Sequence, residues 1–203
     1  MIANHIHDAL GQVRRLQALI LEKRKFTGYS GTARMLGGSV ALFGCVLMGL
    51  YVEGYGMHLL GWGFILSVGL AVNYGALVLW FVQLPDRERT LRTISPALDA
   101  IPPLAVGALF TAALLLKGHP DLLFGSWMCL YGLAHTTCRT ALPKENGWLG
   151  FYYLACGAFF LLWPGTSFMN PWPAGVVFLV GEWIGGLVFH RHKTEAMEEY
   201  TDD

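Results

Sequence analysis

Six apolar stretches close to the length of a bilayer-crossing helix follow one another along this chain, and they constrain its fold more than any other feature. With soft ends they run Ala33–Val52, His58–Val82, Leu98–Leu116, Asp121–Thr140, Trp148–Trp163 and Trp172–His190. A hydrocarbon core of ~30 Å takes ~20 mostly apolar helical residues to cross. Between the stretches lie "EGYGM", "LPDRERTLRTISP", "KGHP", "LPKENG" and "PGTSFMNPWP", each carrying Gly, Pro or charge. Composition agrees: 54% of the 203 residues are hydrophobic and 14% charged, against roughly a quarter charged in soluble domains. The expected fold is all-α, a polytopic membrane protein with six transmembrane helices in one bundle.

Lysine and arginine set the expected orientation, because cytoplasmic loops retain them. With the N-terminus inside, every basic residue except Lys117 falls on the inner side, Arg34 and Arg139 included. Both termini are then cytoplasmic, and a bacterial inner membrane is the expected location. Trp62, Trp127 and Trp172 at the outer ends and Trp80 and Trp148 near the inner ends suit an interfacial belt. A net charge of zero offers nothing to nucleic acid, so the first partner is the lipid bilayer. The N-terminus lacks the short apolar core of a secretory signal.

Three segments follow: residues 1–31, 32–190 and 191–203. The first carries an amphipathic helix, with Ile6, Ala9, Val13, Leu16 and Ile20 at helical spacing and Arg14, Arg15, Lys23, Arg24 and Lys25 opposite. Such a helix could rest on anionic headgroups, pair with a second copy of the chain, or dock a membrane partner protein. The second segment holds the spans, and the last is a short acidic tail expected to fray. Within the first span Gly37, Ala41, Cys45 and Gly49 recur every four residues, a small-residue groove expected to receive another helix. Cys45, Cys129, Cys138 and Cys156 have neither disulfide-framework nor zinc spacing and read as packing residues.

Glu182 carries the functional argument. It lies ten residues beyond Trp172, roughly 15 Å into the membrane at 1.5 Å per residue, where an acid costs at least ~2.5–3.5 kcal/mol. An isolated acid there is expected to keep its proton and donate a hydrogen bond. Candidate companions at similar depth are Asn73, Tyr131, His135, and Tyr152 or Tyr153. On the fourth span Trp127, Tyr131, His135 and Arg139 recur every four residues, a polar and aromatic stripe expected to face the bundle interior. Asp99 could pair with Arg139. The candidate ligand-binding set is therefore Glu182, His135, Tyr131, Asn73, Trp127 and Arg139. His58, His119, His135, His190 and His192 raise a haem or metal alternative, none has ligand spacing such as HExxH, and the cofactor stays unassigned.

"GYSG" at Gly28–Gly31 resembles the nucleophile motif of rhomboid intramembrane proteases, which also have six spans and both ends inside. In that family the serine starts a buried helix and pairs with a histidine on the last span. Here Ser30 precedes the first span and His190 sits at an inner end, so the segment reads as a turn and no catalytic role carries over. The chain is also similar in architecture to the substrate-capturing membrane subunits of energy-coupling-factor transporters, in span number, length and a small-residue first helix. That likeness assigns no ligand or residue role.

The expected function is binding of a small solute or proton at a mid-membrane polar cluster, for transport or sensing. The alternatives are a non-catalytic scaffold or regulatory subunit of a larger membrane complex and, last, an intramembrane enzyme, for which no nucleophile with its base is recognisable.

Overall fold

The structure is a computed structural model that describes residues 10–14, 28–85, 89–90, 94, 97–137 and 142–201. Its first long helix starts where the local chemistry dictates. Ser30 has extended backbone, and its Oγ accepts the N–H of Ala33 at 3.3 Å, so Ser30 of "GYSG" is the N-cap of α1, Gly31–Tyr51. Gly54, with φ of 85°, then reverses the chain into α2, Tyr55–Gln83; few residues besides glycine take that conformation without strain. The helices α3 (Ile101–Leu116), α4 (Leu123–Thr137), α5 (Lys144–Leu162) and α6 (Trp172–Thr201) follow. A second left-handed glycine, Gly118, and a 3₁₀ turn at Pro120–Leu122 join α3 to α4. There is no strand among the described residues.

Each of the six apolar stretches carries a helix. Among the described residues, three helical segments are long and apolar enough to cross a membrane: Gly31–Tyr51, Tyr55–Gln83 and Trp172–His192. Ile101–Leu116 is apolar but has 16 residues. Outward faces are covered with large apolar side chains such as Phe43, Leu50, Leu60, Phe64, Leu109 and Leu187, as suits helices that meet acyl chains. Of the N-terminal amphipathic helix, residues 10–14 are helical; the rest of it lies outside the described residues.

Most of the acidic tail expected to fray is helical, with α6 continuing through Thr201; the last two residues lie outside the described residues. "HRHKTEAMEEYT" contains no Gly or Pro and is rich in good helix formers, so nothing in it stops the helix.

Packing is antiparallel along α1 and α6. The buried face of α1 steps through Arg34, Gly38, Ala41, Cys45 and Met48. A Cβ on Gly38 would lie 2.7 Å from the Glu182 Cβ, and one on Gly175 would lie 2.8 Å from the Cys45 Cβ. The small-residue groove therefore differs from the expected one. Gly37 faces Asn73 of α2, and Gly49 has only Pro171 near it, at 4.0 Å. Four-residue steps drift ~40° each around a helix of 3.6 residues per turn, whereas alternating four- and three-residue steps hold one line.

Helices α4 and α5 approach through a glycine quartet. Gly125 opposes Gly157 and Gly132 opposes Gly150, each placed so that an added Cβ would meet the partner's carbonyl oxygen at 2.7–2.9 Å. One half of the interior is aromatic, with Trp62, Phe124, Phe160 and Phe168 around Met48, Cys45 and Met128. The other half, toward the start of α1, is polar.

Candidate functional site

The polar half is built on two charged side chains from the first and last described long helices. Arg34, in the first turn of α1, is 6% exposed and Glu182, midway along the apolar part of α6, is 7% exposed. Arg34 Nε donates to Glu182 Oε2 at 2.9 Å and Nη2 donates to Oε1 at 3.1 Å. This two-pronged pair is the geometry in which a guanidinium and a carboxylate hold each other best. Gly185 makes room for it: a Cβ there would lie 2.6 Å from the Arg34 Cζ. The guanidinium carbon also sits 5.5 Å from the ring centre of Phe189, one turn further along α6.

Helices α4 and α5 close the pair. Tyr131 and Tyr153 each donate a hydroxyl to Glu182 Oε1 at 2.9 Å, with ring centres 4.9 Å apart and nearly perpendicular. Gly181 is required here, because a Cβ at that position would run into the Tyr153 hydroxyl. Arg34 Nη2 also donates to His135 Nε2 at 2.8 Å, and the other ring nitrogen bonds the Tyr131 carbonyl at 3.0 Å. A carbonyl only accepts and a guanidinium only donates, so the ring is neutral with its proton on Nδ1. Last, Arg34 Nη1 donates to Asn146 Oδ1 at 3.1 Å from the first turn of α5.

Glu182 thus receives four donors from three helices. That is the pattern of an ionised carboxylate, and it replaces the expectation of an isolated acid that keeps its proton. A buried cation supplies the compensation.

Of the six expected ligand-binding residues, the structure brings Glu182, His135 and Tyr131 together. Asn73 lies elsewhere: its amide donates to the Gly69 carbonyl at 2.9 Å within α2. Trp127 joins the aromatic half, with its indole N–H on Thr111 Oγ1 of α3 at 2.8 Å and its ring beside Trp62 and Phe168. Arg139, and with it the Asp99–Arg139 pairing, lies outside the described residues. Tyr152 is turned away to the Val177 carbonyl at 3.0 Å. No group of three or more His, Cys, Asp or Glu side chains gathers among the described residues.

The sequence alone places the central residue, Arg34, on an inner flank and Asn146 in a loop. A signal for both existed. Arg34 begins the 34–38–41–45–48 seam of α1, and Asn146 begins a matching 146–150–153–157–160 seam on α5, all buried. Extending each seam one step toward the N-terminus places both residues inside.

These contacts make unequal stability predictions. Tyr153→Phe removes a hydrogen bond to a buried charge and is expected to cost about 1.5–3 kcal/mol. Asn73→Ala removes one bond within a single membrane helix and is expected to cost about 0.6 kcal/mol. Detergent unfolding of both variants measures the contrast.

Comparison of the chain with protein families, with characterised proteins and with solved structures finds no match to any of the three.

Proposed function

We propose that the chain is a six-span inner-membrane protein with both termini cytoplasmic, in which the Arg34–Glu182 centre binds a proton or small solute for transport or sensing. The observation that carries this reading is the linkage of four helices through one carboxylate. Glu182 on α6 holds Arg34 of α1, Tyr131 of α4 and Tyr153 of α5. Charging or discharging that group changes what holds α1 against α6, and so couples occupancy to helix packing. Ionisable groups inside a membrane tend to mark such pathways. The positive-inside pattern and the six apolar stretches support the topology.

Acid-induced infrared difference spectroscopy on the protein in lipid vesicles tests the reading. Stepwise acidification is expected to produce a protonated-carboxyl band that Glu182→Gln abolishes while helicity is retained. A difference spectrum identical in the two proteins would contradict it.

A further inference from the structure

The polar centre gathers donors from three helices around a single carboxylate. Arg34 directs N–H groups at Glu182, His135 and Asn146, and both tyrosine hydroxyls are directed at the same Glu182 oxygen. Beside them Asn146 is 0% exposed, with Oδ1 occupied by Arg34 and its Nδ2 without a hydrogen-bond partner. A buried amide nitrogen left unpaired is costly, and it can be answered only by an acceptor. The Arg34 N–H groups directed at Glu182, His135 and Asn146 already have acceptors, so it is Asn146 Nδ2 that calls for a further acceptor oxygen, placed beside a guanidinium that favours an anionic one.

Charge balance narrows this further. Arg34 and Glu182 neutralise each other in a setting where an uncompensated charge is prohibitive. An anion cannot simply be added, and Arg34 cannot simply be released. The exchange balances when a proton from the aqueous phase adds to a Glu182 oxygen as the entering anion takes over the guanidinium. The site then holds a cation, an anion and a neutral acid, with the same net charge as before. The titratable groups facing Glu182 are Arg34 from α1, Tyr131 and His135 from α4, and Tyr153 from α5. Both His135 ring nitrogens are engaged, Nδ1 donating to the Tyr131 carbonyl and Nε2 accepting from Arg34, so Glu182 is the group that receives the proton.

We propose that this centre binds a small monocarboxylate together with one proton, the carboxylate replacing Glu182 on the Arg34 fork and taking a further N–H from Asn146 Nδ2. The fork is already shaped around a planar carboxylate, which favours that group over phosphate. Gly38, Gly181 and Gly185 already lie against Glu182, Tyr153 and Arg34, so a solute enters by displacing the Glu182 side chain and has to be small. The inference rests on reading the centre as the proton- or solute-binding element, and names its ligand class and coupling.

Calorimetric titration of the full-length protein in detergent with lactate tests it, using two buffers of different ionisation enthalpy. One proton should be taken up per lactate bound, and affinity should weaken about tenfold per pH unit as pH rises above the range where free Glu182 titrates. Lactamide and inorganic phosphate should give no binding. Glu182→Gln, whose amide stands in for the neutral acid, should bind lactate without proton uptake. Asn146→Ala should weaken binding at least tenfold while the acid-induced infrared band of Glu182 persists. Binding without proton uptake in the wild type, tighter binding of phosphate than lactate, or unchanged affinity in Asn146→Ala would each overturn the proposal. So would the absence of lactate binding; an infrared band that persists in that case leaves the broader reading standing, and one that is missing removes both.

Discussion

Arg34→Met is expected to destabilise the bundle by about 3–5 kcal/mol, the usual cost of removing one partner from a buried ion pair. The variant keeps the apolar stem length and removes every charged contact. Glu182 would be left with two tyrosine hydroxyls and an uncompensated charge, and His135 and Asn146 would each lose a donor. Arg34→Lys should recover only part of the loss. An ammonium is a compact point charge, and it cannot span both Glu182 oxygens, His135 and Asn146 as the guanidinium fork does. Equilibrium unfolding in a mixed-detergent titration, followed by far-ultraviolet circular dichroism, reads the difference. Loss of less than about 1 kcal/mol in Arg34→Met, the level of an exposed pair, would show that the pair does not hold α1 to α6.

Gly157→Val is expected to be comparably severe for a different reason. A Cβ at Gly157 would stand 2.8 Å from both the Gly125 carbonyl oxygen and the Cys129 backbone nitrogen. Backbone cannot swing aside as a side chain can, so α4 and α5 must separate. Overpacking of this kind costs about 1–3 kcal/mol or more, and the upper end is expected here because α4 and α5 meet backbone to backbone at these glycines. Separation would also draw Tyr131 and His135 on α4 away from Tyr153 on α5. Gly63→Val is the matched control, since an added Cβ there meets nothing within 4 Å, and it should stay within about 0.5 kcal/mol of the parent. The same unfolding titration measures both, and equal effects would contradict the glycine contact.

The helical character of this chain was legible because six long apolar runs leave few alternatives to helix in lipid. Glu182 could be singled out by its surroundings in the sequence, and Tyr131 and His135 by their spacing on α4. Arg34 was not legible as a centre. Charge near a span boundary reads as a headgroup anchor, and the positive-inside pattern absorbed it without residue. Its burial is decided by the antiparallel register of α6, which brings Gly185 and Phe189 alongside, and register is a long-range property. Asn73 illustrates the converse: a polar residue at suitable depth satisfied itself on the Gly69 carbonyl, so depth alone did not predict its partner. Trp127 shares a face with Tyr131 by periodicity but is one full turn away, and that turn is the distance between the polar and the aromatic halves.

A double-mutant cycle between Arg34 and Glu182 tests the central claim most directly, using Arg34→Met, Glu182→Met and the combined variant in the same unfolding assay. A pair that compensates its own buried charges predicts a combined variant more stable than either single one, because neither leaves a lone ion behind. Losses that simply add in the combined variant would contradict it.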